Sequence, residues 1–215
     1  MKRFAAGFGA LAFFAAVGPA SAGTITYNLP FVFSGTTQPL NLLTAVFDDG
    51  GGTGSVTLTM SMSGPSLSEF VSEWFFNFNG DPTALNFQLT TNTTGSGTDP
   101  SVGLGSNAFQ ADGDGLYDIN IGFDIAPPAE RFGTGETVAY TITAAGITAN
   151  SFNALSFFVG GSGPFFTAAH VQGICLNPPD CDQTASAWVT IPEPGPALLF
   201  GAGSLLAGVA IRRRR

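Results

Sequence analysis

Short runs in which apolar and hydroxyl-bearing residues alternate fill most of this chain. In Val56-Thr57-Leu58-Thr59-Met60-Ser61-Met62 the alternation is unbroken. An extended backbone sends successive side chains to opposite faces, so this run has one apolar and one wetted face, as a half-buried strand does. Comparable runs occupy residues 24–27, 31–33, 45–47, 74–78, 85–89, 119–123, 138–143, 154–159, 170–174 and 187–191. Breaks rich in glycine, asparagine or proline, such as residues 79–82, 94–97 and 160–164, separate nearly all of them. The spacing predicts about nine to eleven short strands in an all-β, antiparallel β-sandwich or jelly roll. No amphipathic helical stretch exceeds one or two turns, and residues 67–71 fit a single helical turn. No repeat of fixed period is present, which argues against a solenoid or propeller. With 21 phenylalanines in the chain, aromatic rings are expected to fill much of the space between the sheets.

Both flanks depart from this pattern. Lys2 and Arg3 precede an apolar stretch over residues 4–17, and Pro19-Ala20-Ser21-Ala22 ends in the small-x-small pattern of a signal-peptidase site. Residues 1–22 are therefore expected to be a signal peptide cut after Ala22, leaving Gly23 first; an uncleaved N-terminal anchor is the alternative. Residues 23–190 are expected to form one extracytoplasmic domain of roughly 170 residues, enough for a real core. Residues 191–215 make a third segment: Pro192-Glu193-Pro194, then 17 residues without a charge (195–211), then Arg212, Arg213, Arg214 and Arg215. As a helix the uncharged run would reach about 25 Å, a little short of a roughly 30 Å hydrocarbon core. Snorkelling arginines and bilayer thinning can close that gap. Basic residues stay on the cytoplasmic side of a span, so the four arginines are expected inside and everything before Pro192 outside. The two prolines stop a helix from running back into the domain and leave extended peptide open to a protease.

The tripartite tail resembles the PEP-CTERM sorting signal of proteins exported by Gram-negative bacteria that make exopolysaccharide. In that family a membrane protease-transpeptidase, exosortase, processes the tail so that the mature protein can reach the outer surface. The resemblance covers only residues 190–215. It implies that Pro192, Glu193, Pro194, Arg212, Arg213, Arg214 and Arg215 are sorting residues and that a transmembrane helix runs over about 195–211. It also implies that signal peptidase and exosortase are processing partners. Inner-membrane anchoring would precede processing, with a place at the cell surface or in the exopolysaccharide matrix afterwards. An ordinary membrane anchor is the alternative. Residues 112–118 and 168–173 also look like stretches of other exported domains carrying this tail, a likeness that supplies no activity.

Setting the flanks aside changes the charge picture. Of seven basic residues, only Arg131 lies outside them. Fifteen acidic residues against that one arginine give residues 23–194 a net charge of −14. Nucleic-acid binding and adhesion to anionic lipid both need basic patches and are disfavoured. Arg131 is expected to pair with Glu130 or Glu136.

Such an acidic domain invites divalent cations, and Asp112-Gly113-Asp114-Gly115-Leu116-Tyr117-Asp118 is the motif best suited to one. Its three carboxylates, with glycines permitting a sharp turn, can converge on calcium, Asp124 being a further candidate ligand. The segment is similar to the D-x-D-G-x-x-D half of calcium loops in several extracellular proteins. It is not an EF-hand, because Phe123 stands at the twelfth position, where a bidentate glutamate is needed. A plain turn before the strand at Ile119 is the competing reading. No other cofactor is suggested. Cys175 and Cys181, in Cys-Leu-Asn-Pro-Pro-Asp-Cys, are expected to close a small disulfide loop that staples one turn. A metal-binding role for them lacks a second Cys or His pair.

His170, the single histidine, reads as a hydrogen-bonded strand residue, since the chain has no Gly-x-Ser-x-Gly elbow and one imidazole cannot make a zinc site. Glu69, Glu73, Glu130 and Glu136 offer carboxylates for a glycosidase pair, with nothing in the sequence to bring two of them together. Trp74, Trp188 and Tyr117 either stack on sugar rings or fill the core. The expectation is a non-enzymatic exported protein of the surface or matrix. A calcium-dependent carbohydrate-binding module ranks second and a secreted hydrolase third.

Overall fold

The computed structural model describes residues 23–36, 42–64, 68–95 and 98–191. The expected signal peptide, Pro-Glu-Pro motif, membrane span and arginine cluster lie outside the described residues. Two antiparallel sheets make up the domain. The first, in spatial order, contains β1 (Thr24–Asn28), β3 (Leu43–Asp48), β4 (Ser55–Met62), β10 (Thr137–Thr143) and β6 (Asn86–Asn92). The second runs β2 (Phe31–Gly35), β12 (Thr184–Thr190), β11 (Thr167–Cys175), β5 (Phe70–Phe76), β8 (Leu116–Gly122) and β7 (Ser101–Gln110). The two-residue β9 (Phe132–Gly133) pairs with the start of β5.

Alternation on β4 sets the first sheet's inner face. Val56, Leu58, Met60 and Met62 are all buried. Leu58 lies opposite Phe47 on one side and Tyr140 on the other, and Met60 opposite Ala45 and Val138. Val71, Trp74 and Phe76 of β5 join the same core from the second sheet, with Ile119, Ile121, Ala169, Val171, Ala187 and Val189. Phe47 meets Phe76 edge-on at 5.2 Å and stacks on Phe152 at 4.4 Å. Burying each such side chain stabilises the fold by roughly 1.5–3 kcal/mol, so the inter-sheet aromatic layer holds the sandwich together.

Strand β5 is buried on both faces, because a second cluster covers the outer side of its sheet. Phe75, Ala111, Tyr117 and Ala168 form it, with Phe33, Phe109 and Trp188 packed around them. The Trp74 indole donates to Thr167 Oγ1 at 2.9 Å, and that hydroxyl donates to the Phe75 carbonyl at 2.6 Å, so these two buried side chains are satisfied.

Four expectations change. Residues 101–110, SVGLGSNAFQ, carry too little apolar alternation to read as a strand, yet form β7, an edge strand whose register breaks between Leu104 and Phe109. Residues 154–159 look like a strand but form a loop with a single bridge, Phe157 to Leu116. Within 67–71 the expected helical turn is absent where described: Phe70 and Val71 open β5, and Leu67 lies outside the described residues. Among the described residues the strands number twelve, because β7 and β9 are added and 154–159 is lost. Three short 3-10 turns, Pro82–Ala84, Pro128–Glu130 and Ala149–Phe152, are the helical segments among the described residues. None of these is long and apolar enough to cross a membrane.

Candidate functional site

A groove of about 480 Å³ crosses the outer face of the second sheet. Strand pairing builds it. In one row Trp188, His170, Glu73, Gly122 and Ser101 lie side by side across β12, β11, β5, β8 and β7. Ala169 and Val171 flank His170 and Ala187 and Val189 flank Trp188, and all four are core residues. Period-two alternation therefore turns His170 and Trp188 outward. A register shift between His170 and Val171 leaves Ser72 as an extra residue on β5, beside the histidine. Gly122 keeps the trough open: a Cβ there would lie 2.7 Å from Ser101 Oγ. Asn120, Asp99, Asp124 and Gln172 complete the polar lining.

The histidine is held on three sides. Its ring stacks on Trp188 with centroids 4.5 Å apart and planes 9° from parallel. Nδ1 lies 3.0 Å from Ser72 Oγ and 3.4 Å from Gln172 Nε2. With the Gln172 amide as donor, Nδ1 accepts and the neutral ring carries its proton on Nε2. Burial pushes the His170 pKa below its ordinary value, outweighing the Glu73 and Asp112 carboxylates, which pull the other way. The ring is thus neutral at pH 7, and Glu73, Asp99 and Asp124 make the groove acidic. Ser72 is buried beneath it. Ser72 also lines the groove, and its hydroxyl shares His170 Nδ1 with the Gln172 amide. The arrangement offers a rigid ring and a row of hydrogen-bonding groups, which suits binding.

The three aspartates of the candidate calcium loop do different work. Asp118, buried, accepts from the Phe78 amide at 2.9 Å through Oδ2 and from the Asn107 amide at 2.8 Å through Oδ1. Asp114, also buried, accepts from the Ser162 amide at 2.8 Å. Asp112 is exposed in the turn between β7 and β8 with a left-handed φ of 43°. Among the described residues no group of three or more His, Cys, Asp or Glu side chains is placed to hold a metal ion, so Asp112, Asp114 and Asp118 do not converge with one another or with Asp124. Asp118 instead ties β8 to the β5–β6 connection and to the irregular stretch of β7, and Asp114 ties the turn before β8 to the 153–166 loop. Sequence spacing could not reveal this, because the partner amides are 40, 11 and 48 residues away.

Cys175 and Cys181 form the expected disulfide at the end of β11. Arg131 does not take its acidic neighbours as partners. Its guanidinium lies 4.1 Å over the Phe70 ring and its Nε donates to the Ile125 carbonyl at 2.8 Å, while Glu136 accepts from the Gly133 amide at 2.6 Å. Of the four glutamates, Glu69 and Glu136 line one recess beside Arg131, Glu73 belongs to the groove, and Glu130 sits on the short Pro128–Glu130 turn. Trp74 and Tyr117 are fully buried, leaving Trp188 as the partly accessible aromatic beside the groove. The sequence singled out His170 and Trp188 separately; their contact follows from a β11–β12 register that no local pattern encodes. No family model, curated protein or solved structure matches the chain, and its chemistry is read from its own side chains.

Proposed function

We propose that this is a non-enzymatic exported protein of the cell surface or exopolysaccharide matrix, with residues 191–215 acting as a transient address that exosortase removes. The observation that supports it is the partition of charge. One acidic, disulfide-bearing sandwich contains Arg131 alone among cations, and the other six basic residues flank two uncharged stretches outside it. A closed disulfide suits an oxidising compartment. Replacing Pro192, Glu193 and Pro194 by alanine tests the address. The variant should accumulate in the inner membrane, and normal surface delivery would contradict the reading.

The groove supports a second reading within the first: a binding face for a polyhydroxylated ligand such as the matrix polysaccharide. Its carboxylate and amide groups, beside the stacked Trp188–His170 pair, offer sugar hydroxyls acceptors and donors around an aromatic edge. Since Asp114 and Asp118 are committed to backbone amides, no calcium is invoked. Titration of the purified chain with the producer's polysaccharide should show binding that a chelator leaves intact and that Asn120→Ala with Glu73→Gln weakens. Equal binding by the double variant would remove the groove from the reading.

A further inference from the structure

The large hydrophobic side chains left exposed among the described residues are unevenly placed. Phe31, Leu155, Phe157, Phe158 and Val159, each 41–58 % exposed, gather at one end of the second sheet. Ile125 and Leu176 are at the other end, just past the last residues of β8 and β11. Phe31 opens β2 opposite Thr190, and residues 153–166 lead directly into the first residue of β11. Ile191 leaves the domain at this same end, since Thr190 pairs with Ala168.

Register gives the heights. Thr190, Ala168, Phe75 and Asn120 form one row across the sheet. Leu116 lies four positions before Asn120 on β8, which carries it about 13 Å beyond that row at roughly 3.3 Å per residue. Phe157 is bridged to Leu116. From Thr190 the chain needs five residues to reach Gly195, where the uncharged run begins, and five residues span at most about 17 Å. A chain of that length can reach at most about 4 Å past the level of Phe157, so a span beginning at residue 195 would bring the bilayer surface to that loop.

The apolar loop is also held out in a fixed shape. Phe157 and Leu116 exchange backbone hydrogen bonds at 2.8 and 2.9 Å, Ser156 donates to the Phe165 carbonyl at 2.8 Å, and Phe165 donates back to Ser156 Oγ at 3.0 Å. Asp114 anchors Ser162, and Gly161 is pressed so close that a Cβ would overlap Asp114 Oδ1 at 1.1 Å. A braced loop presenting two phenylalanines and a valine to solvent is costly in water unless something apolar covers it.

We infer that this end of the sandwich rests on the bilayer that holds the tail, with Phe157, Phe158 and Val159 inserted into the outer leaflet. The inference rests on reading residues 195–211 as a membrane span. It gives the domain a fixed orientation while it is anchored: the groove, which runs toward Phe123 and Ile125 at the opposite end, faces away from the lipid. The domain's acidity supplies no attraction to anionic headgroups, so insertion depends on apolar transfer and is insensitive to salt.

The two native cysteines are bonded to each other, so single cysteines can be labelled selectively. Full-length Phe158→Cys, Ile125→Cys and Ser204→Cys chains, each carrying a nitrobenzoxadiazole label, are reconstituted in phosphatidylcholine vesicles containing nitroxide lipid. Emission should be lost at positions 158 and 204 but kept at 125, equally at low and high salt. Loss at 204 alone overturns the inference and leaves the span intact. No loss at either 158 or 204 overturns both. A label at 158 shielded from lipid nitroxide and from aqueous iodide alike means that a second copy or the tail covers the loop, which also overturns it.

Discussion

Replacing Asp118 by alanine separates a metal-ligand role from a structural one. The carboxylate receives two backbone amides, from Phe78 and Asn107, from a buried position. A hydrogen bond to a charged group contributes about 1.5–3 kcal/mol, and an amide left without an acceptor costs a similar amount. Losing both should therefore destabilise the domain by about 3–5 kcal/mol, which for a domain of this size lowers Tm by about 6–20 °C. Asp118→Asn keeps one acceptor oxygen but turns an amide donor toward the other N–H, so it should fall close to the alanine variant. Thermal unfolding of purified chains, with calcium and with a chelator, provides the assay. The structure predicts the full loss in both buffers and an unchanged wild-type Tm. A calcium ligand would behave differently: metal at a hundredfold excess over Kd would add about 2.7 kcal/mol to the wild type. A calcium-dependent wild-type Tm, or an Asp118→Ala chain that melts with the wild type in chelator, would refute the reasoning.

Other perturbations test the surrounding elements. His170 is held below the ordinary histidine value of 6.5 by burial, so below that value the unfolded chain takes up a proton that the folded one refuses. Stability should fall as pH drops below 6.5 and level off beneath the folded value, and denaturant titrations of His170→Gln should lack this slope. Gly161→Ala, at φ 76° and against Asp114, should cost about 1–3 kcal/mol and speed amide exchange at Ser162. Reducing the Cys175–Cys181 bridge, which closes a six-residue separation, should cost about 2 kcal/mol by the chain-entropy relation; complete unfolding on reduction would show that it does more than staple one turn.

The sheets were legible where alternation was clean. Val56 to Met62 and Val138 to Thr143 read as strands because one face is core and the other is wet. The same reasoning failed at residues 154–159, where an apolar run lies on the surface and not between the sheets, and at β7, where edge position and the Asp118 contact at Asn107 replace apolar alternation. The aspartate motif was visible but its purpose was not, since carboxylates spaced for calcium serve equally well as acceptors for distant amides. His170 was legible as a hydrogen-bonded strand residue; its ring contact with Trp188 depends on the β11–β12 register. Arg131 chose the Phe70 ring over its acidic neighbours because the β9–β5 pairing brings that ring close.

The central claim is that residues 191–215 direct export and are then removed. Mass spectrometry of the C-terminal peptide of the surface-localised protein tests it most directly. The mature chain should end upstream of Arg212 and begin at Gly23. A surface form that retains Arg215 would contradict it.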